Sequence, residues 1–350
     1  MRRSCKWGLL FWMPYDNDLA PWRTPIIQML TQGARSEQTF VAVEADGGPS
    51  GHLTRTVVAP ERAVDHSLRA TDSSSSENLR RYLEWAAAEV SAERWALIVL
   101  GHSGGPEQIS PDAHPGGAPG SALRWMRLEQ LDREIQRFAE RTGLLELLFL
   151  QNCCNGALEV HYSVGSAARY TLSSQLPIGV PNYYYEGVLR SLASEPDQDG
   201  LGLAEAIMRH DRPDMFEVYA VTDNSKLDDL AREVNTTIDV ILSSGPTAAP
   251  LDSVSYSYGP YWFADLVSFL ELAGGPSMRA TSEWGRICEL VGRTVPAVHH
   301  SPRARSTSHC GLSVLVPRSQ TDMDRYRHLE AWRDIRLPEL FAALSALDVS

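Results

Sequence analysis

The sequence predicts an α/β protein with a mainly parallel central sheet and helices on both faces. Three observations predict it. Short, nearly unbroken apolar runs at residues 7–13, 95–100 and 144–150 read as strands buried on both sides. Stretches with apolar residues at helical spacing lie between such runs, in the β-α-β-α-β order that calls for parallel neighbours. The second and third runs also stop abruptly on Gly101-His102-Ser103-Gly104-Gly105 and on Gln151-Asn152-Cys153. Open α/β sheets place their reactive groups at such carboxyl ends.

Taken in order, residues 7–13 form the first strand. The run is short, lacks a small-residue cleavage site and stops at Pro14, so it reads as a strand and not a leader. Residues 17–33 are helical, with the regular part starting near Pro25. A second strand spans 39–43, and Ser73 to Ser76 connects to a helix over 77–90. Residues 106–121 are rich in Pro and Gly and read as a long exposed loop. A crossover helix at 127–141 leads to the strand at 144–150, and a further helix opens near Ala157. Residues 169–172 form a strand ending at Ser173-Ser174-Gln175. Beyond it, 182–192 and 201–208 are helical, 216–221 is a strand, Lys226 opens a long helix, 261–272 is helical and 311–317 is a late strand. No clean linker splits the chain. Residues 1–200 read as the core and 201–350 as a C-terminal part packed on it.

Composition narrows the function. The 350 residues carry a net charge of −12, and no basic stretch stands out to track phosphates, which argues against a nucleic-acid or anionic-membrane partner. No segment approaches the ~18 apolar residues of a membrane span. Five cysteines, two of them adjacent, suit a reducing cytoplasm better than a disulfide framework. His161, His299, His300 and His309 show no metal-ligand spacing with the cysteines. Asp16 and Asp18 read as an acidic turn after the first strand, with a calcium site as the other reading.

The chemistry-bearing pair is His102 and Cys153. Both stand at strand ends, 51 residues apart, and adjacent parallel strands would bring both loops to one edge of the sheet. A histidine about 50 residues before a cysteine that follows Gln is a caspase-type spacing. In such a dyad His102 draws the proton from the thiol and later protonates the leaving amine. A helix amino end just beyond Cys153 would favour the thiolate. Cys154 is the rival nucleophile and reads as core. Tyr183-Tyr184-Tyr185 reads equally as a groove wall or as core.

These residues resemble the clostripain-like cysteine peptidases, bacterial relatives of the caspases. Asp16-Asn17-Asp18-Leu19 matches the family's opening turn, and His102-Ser103-Gly104-Gly105 its His-Gly-Gly-Gly loop. Cys153, Gly156, Glu159 and Tyr162 match its Asp-Ala-Cys-x-x-Gly-x-x-Glu-x-x-Tyr segment. Residues 225–227, 261–266 and 311–313 match later landmarks. The resemblance implies a caspase-like α/β fold and a cysteine endopeptidase acting on proteins or peptides, with His102 and Cys153 as its dyad. It also implies a proenzyme matured by loop cleavage and, in some members, dependence on calcium; the chemistry itself requires no cofactor. The oxyanion would be held by backbone N–H groups of Cys153, Ser103 and Gly104. The family's substrate-binding acids fall at Gln151 and at Ser174-Gln175, where this chain has neutral residues. A basic P1 side chain would lack charge compensation there.

The leading expectation is therefore a latent cytoplasmic protease activated by cleavage within residues 106–127, by itself or by an upstream protease. By analogy it would serve a bacterial defence or cell-death cascade. The alternative is a pseudopeptidase that binds a protein partner through the same groove.

Overall fold

The structure, a computed structural model, describes residues 3–46, 52–116, 121–247, 251–304 and 308–347. Fourteen strands are present among them: β1 (Arg3–Met13), β2 (Thr39–Asp46), β3 (Leu53–Ala59), β4 (Arg62–Ser67), β5 (Val90–Leu100), β6 (Gln108–Asp112), β7 (Arg124–Arg127), β8 (Leu145–Gln151), β9 (Ala168–Ser174), β10 (Val218–Asp223), β11 (Ser255–Tyr258), β12 (Tyr261–Asp265), β13 (Ala297–His300) and β14 (Ser313–Leu315). Nine form one sheet in the order β13-β10-β9-β8-β5-β1-β2-β3-β4. Its centre, β9-β8-β5-β1-β2, is wholly parallel, and both flanks are antiparallel.

Strand alternation builds two cores from single strands. In β1, Trp7, Leu9, Phe11 and Met13 enter one core while Leu10 and Trp12 enter the other. The first core is closed by helices Arg23–Gly33, Tyr184–Ser194 and Gly200–His210. The second takes Ser76–Glu89, Leu128–Thr142, Leu158–Val164 and Leu227–Ser244. This is the mainly parallel α/β sandwich that the apolar runs predict.

Four expectations need correction. Residues 108–112 are not part of an exposed loop, and 124–127, just before the crossover helix at Leu128–Thr142, form a strand where none was expected. They pair as the β6–β7 hairpin, and Ile109, Ser110, Pro111 and Asp112 are buried. Of the expected loop, residues 106–107, 113–116 and 121 stay outside strands, and 117–120 lie outside the described residues. Residues 261–272 are helical only from Leu266. Tyr261–Asp265 is a strand, and Asp265 caps the helix that follows by accepting Ser268 N–H at 3.0 Å. The first helix starts at Arg23, after a 3-10 turn at Ala20–Trp22. Finally, β3 and β4 extend the sheet where no strand was expected, β4 with all six residues exposed.

The C-terminal part reaches back to the centre. β10 and β13 extend the main sheet, while β11, β12 and β14 form a separate three-stranded sheet. That sheet touches the loop after β8 through an Ala157–Ser313 bridge, where Ser313 N–H donates to Gly156 O at 2.9 Å.

Candidate active site

β5 and β8 are parallel neighbours, with Leu100 opposite Gln151, so the loops carrying His102 and Cys153 leave the sheet side by side. Asn152 joins them. Its side-chain amide donates to Gly101 O at 2.7 Å and to His102 O at 3.4 Å. Ser103 Oγ adds a second tie, donating to Asn155 Oδ1 at 2.9 Å.

The loop that carries Cys153 is tightly held. Cys154 has φ 56, a left-handed backbone that is strained for a residue other than glycine. Such strain persists only where the surroundings fix it, and here they do. Cys154 N–H donates to Leu176 O at 3.4 Å, and Gly156 N–H to Ser174 O at 2.9 Å. A side chain at Gly156 would stand 2.9 Å from Gln175 Cα, so only glycine allows this approach. Cys154 itself is buried in the core, as the sequence reading has it.

Cys153 is half-buried, and its sulfur is hemmed in. Ile178 N–H donates to Sγ at 3.5 Å, and the thiol faces Ile178 O at 3.6 Å. Burial pushes the thiol above its ordinary value, opposed by Ile178 and, more weakly, by Tyr258. The expected thiolate bias from a helix amino end is thus outweighed: the following helix starts only at Leu158 and is seven residues long.

His102 Nε2 lies 2.7 Å from Asp18 Oδ1. Sequence reasoning identified no residue to orient the imidazole, and the structure supplies this one. Asp18 follows β1, the parallel neighbour of β5, so its turn belongs to the same edge of the sheet. That adjacency is the signal that would have found it. Among the described residues, the side-chain hydrogen bonds of Cys153 run to Ile178 and that of the His102 ring to Asp18. His102 and Cys153 are neighbours in the fold but are not bonded to each other in this arrangement.

The expected oxyanion donors divide. Gly104 N–H donates to Gln108 O at 2.8 Å in the turn that starts β6, so it is not free for an oxyanion. Among the described residues, Ser103 N–H makes no hydrogen bond to a backbone carbonyl outside the strands and helices.

The expected substrate-binding residues Gln151, Ser174 and Gln175 are all buried. Gln151 Nε2 donates to Asn182 Oδ1 at 2.5 Å and to Tyr185 Oη at 2.9 Å, and its Oε1 accepts from Tyr184 Oη at 2.5 Å. Asn182 in turn donates to Asp211 at 2.7 Å. Ser174 Oγ meets Leu176 O and Val218 O at 2.6 and 2.9 Å. Gln175 bridges Asp265, Leu312 and Gly311. Their side-chain polar atoms are thus committed inside the protein. Tyr184 and Tyr185 are core, while Tyr183 is half-buried under the Arg212 guanidinium.

Glu159 anchors this region. Its Oε1 accepts Leu315 N–H at 3.1 Å and Trp332 Nε1–H at 2.9 Å, tying the helix after Cys153 to the C-terminal segment. Asp16 does not pair with Asp18. It meets Asp46 and Asp112, all three buried, with a carboxylate oxygen of each within 4.8 Å of the others. Burial and the neighbouring Asp16 push Asp112 up to about 7. Asp16 and Asp112 already accept from the backbone N–H groups of His114 and Ser73. The three carboxylates are also the hard oxygen donors that calcium takes.

The sequence profile of the clostripain family, Peptidase_C11, matches residues 11–271. The chain belongs to the clostripain family. It is therefore a cysteine endopeptidase by class, as the ordered motifs imply. Solved structures agree on the fold. A secreted C11 cysteine protease from Bacteroides thetaiotaomicron, in complex with an irreversible peptide inhibitor, superposes with a TM-score of 0.71 at 15% identity, covering 94% of this chain and 98% of that one. An inactive zymogen C11 protease from Parabacteroides distasonis gives 0.69 at 15% identity, covering 96% and 99%. No curated protein matches the chain significantly. Among the described residues, no helix is long and apolar enough to cross a membrane.

Proposed function

We propose that this clostripain-family chain is a latent endopeptidase in which Cys153 attacks the scissile carbonyl and His102 moves the proton. The observation that carries this reading is the pair of adjacent parallel strand ends, tied by Asn152, that sets both residues at one edge of the sheet. Asp18 orients the imidazole, and Ser103 N–H with Cys153 N–H receives the oxyanion. Latency is supported by the neutral, hydrogen-bonded thiol and by the likeness to a protein described as an inactive zymogen. Residues 113–123, at the tip of the β6–β7 hairpin, are the activation segment, cut by the enzyme itself or by an upstream protease. The substrate is a protein or peptide with an uncharged P1 residue. Gln151 and Gln175 are neutral, and the nearby Asp211 already accepts from Asn182, Tyr183, Arg212 and Tyr219. A bacterial defence or cell-death cascade is the setting by analogy. The five free cysteines favour the cytoplasm, although the Bacteroides relative is described as secreted; cell fractionation tests this. Calcium enters the reading only at Asp16, Asp46 and Asp112, where it would compete with the proton that burial favours on Asp112. A Tm that rises with CaCl2 at about pH 8 but not at about pH 5 is its mark.

The test is cleavage of a positional-scanning peptide library by intact protein and by protein nicked within residues 113–123, with Cys153→Ala as control. Cleavage that appears on nicking and vanishes in the control supports the proposal. Silence in both forms favours the second reading, a pseudopeptidase, for which the internally committed Gln151 and Gln175 speak.

A further inference from the structure

We propose that Asn155 is a positioning residue for the proteolytic reaction: through the Ser103 hydroxyl it holds the histidine loop in place against the loop that carries Cys153. Side-chain bonds run between these loops on either side of Cys153. Ahead of it, the Asn152 amide donates to Gly101 O at 2.7 Å and to His102 O at 3.4 Å. Behind it, Asn155 Oδ1 accepts from Ser103 Oγ at 2.9 Å. Cys153 therefore lies between two asparagines that grip the other loop, and the residues they grip, Gly101 to Ser103, bracket His102. Neither tie uses the imidazole or the thiol.

The Ser103 hydroxyl is spent as both acceptor and donor. It accepts Gly105 N–H at 3.1 Å, and its proton goes to Asn155 at 2.9 Å, a shorter contact than that to Gly105 O at 3.4 Å. One group thus closes the turn of the histidine loop and links that turn outward. A glycine, which the resembling family motif has after its histidine, can do neither. Just beyond, the Tyr261 ring of the β11–β12 hairpin lies so close to Gly105 that an added Cβ would fall 2.5 Å from it, so the loop has little room on that side. On the other loop, Asn155 directly follows Cys154 and its left-handed φ of 56. The tie to Ser103 fixes the chain immediately past that strain.

Stability alone does not account for Asn155. The residue is fully buried, and among the described residues its Nδ2 has no hydrogen-bond partner. Desolvating an unpaired amide costs at least as much as one bond to Ser103 returns. An apolar side chain of similar size would serve folding as well, but it could not hold Ser103. What the bond supplies is placement.

The inference rests on the peptidase reading for the reaction that this placement serves. The test compares wild type, Asn155→Leu, Ser103→Ala, the double variant and His102→Ala, each as full-length protein nicked within residues 113–123 with both pieces retained. It reads Tm, kcat and KM on the best library peptide, and the midpoint of Cys153 alkylation by iodoacetamide across pH, followed by peptide mass. Asn155→Leu and Ser103→Ala should each lower kcat about tenfold to a hundredfold at nearly constant KM, the scale of a misplaced reacting group. The double variant should be no slower than the slower single, because both remove the same bond. The Tm of Asn155→Leu should stay at or above that of wild type. The alkylation midpoint should rise toward that of His102→Ala, since a displaced imidazole supports the thiolate less. Unchanged kcat in both single variants, or losses that multiply in the double, overturns the inference. So does a fall in Tm in both singles that tracks the loss of kcat, which would make the bond structural. If Asn155→Leu does not fold, Ser103→Ala, which adds no bulk, decides by the same criteria. A midpoint that rises in His102→Ala but in neither single variant overturns the placement and leaves the peptidase reading standing. Midpoints that rise in all three, with no peptide cleaved by wild type, uphold the placement and sink the peptidase reading. A midpoint indifferent to His102→Ala sinks both.

Discussion

Replacing Asp18 with Asn removes the charge that faces His102 and keeps the shape of the side chain. In a triad with a buried carboxylate, that change costs about ten thousandfold in rate. The structure predicts far less here. The contact is short, at 2.7 Å, but the Asp18 side chain is 75% exposed and that of His102 36%. Water screens such a pair to about 0.2–1 kcal/mol. At ~1.36 kcal/mol per tenfold in rate, Asp18→Asn should lower kcat/KM by a factor of roughly 1.4–5. The effect should also shrink as salt rises, because exposed charges are screened. The assay is kcat/KM of the nicked enzyme on its best library peptide at low and high ionic strength, normalised to the fraction of Cys153 that can be alkylated. A loss beyond about a hundredfold, insensitive to salt, would refute this reasoning. It would mean that the pair works in a water-excluded site.

Three other perturbations probe the scaffold. Glu159→Ala deprives Leu315 N–H and Trp332 Nε1–H of their acceptor; at about 1–3 kcal/mol for each buried donor, urea unfolding should show a loss of at least ~2 kcal/mol, and Glu159→Gln a smaller one. Gly105→Ala forces a side chain into φ 76 and into the Tyr261 ring, so it should cost about 1–2 kcal/mol or more and lower Tm; an unchanged Tm would deny the close packing of hairpin on loop. His161 is buried and burial lowers it to about 4, below its unfolded value near 6.5. Its neutral form is the folded one, so the protein loses stability as pH falls from ~6.5 through 4, by about 3 kcal/mol in all, and His161→Gln should flatten that limb relative to wild type. Parallel limbs in the two proteins would count against it.

What the sequence made legible follows burial. The later halves of β1 and β5 and most of β2 and β8 are covered on both faces, so they carry the nearly unbroken apolar runs that announce themselves. β3 and β4 lie at an edge, with β4 wholly exposed, and Arg62, Asp65 and His66 there carry no periodic signal. The β12 boundary was hidden because the apolar run continues from strand into helix; only Asp265 marks the change, by capping Leu266–Gly274. His102 and Cys153 could be placed because each is defined by its own strand end. Asp18 could not, since it reaches His102 from 84 residues away, across a sheet neighbour. Pairwise contacts of that range leave no local pattern.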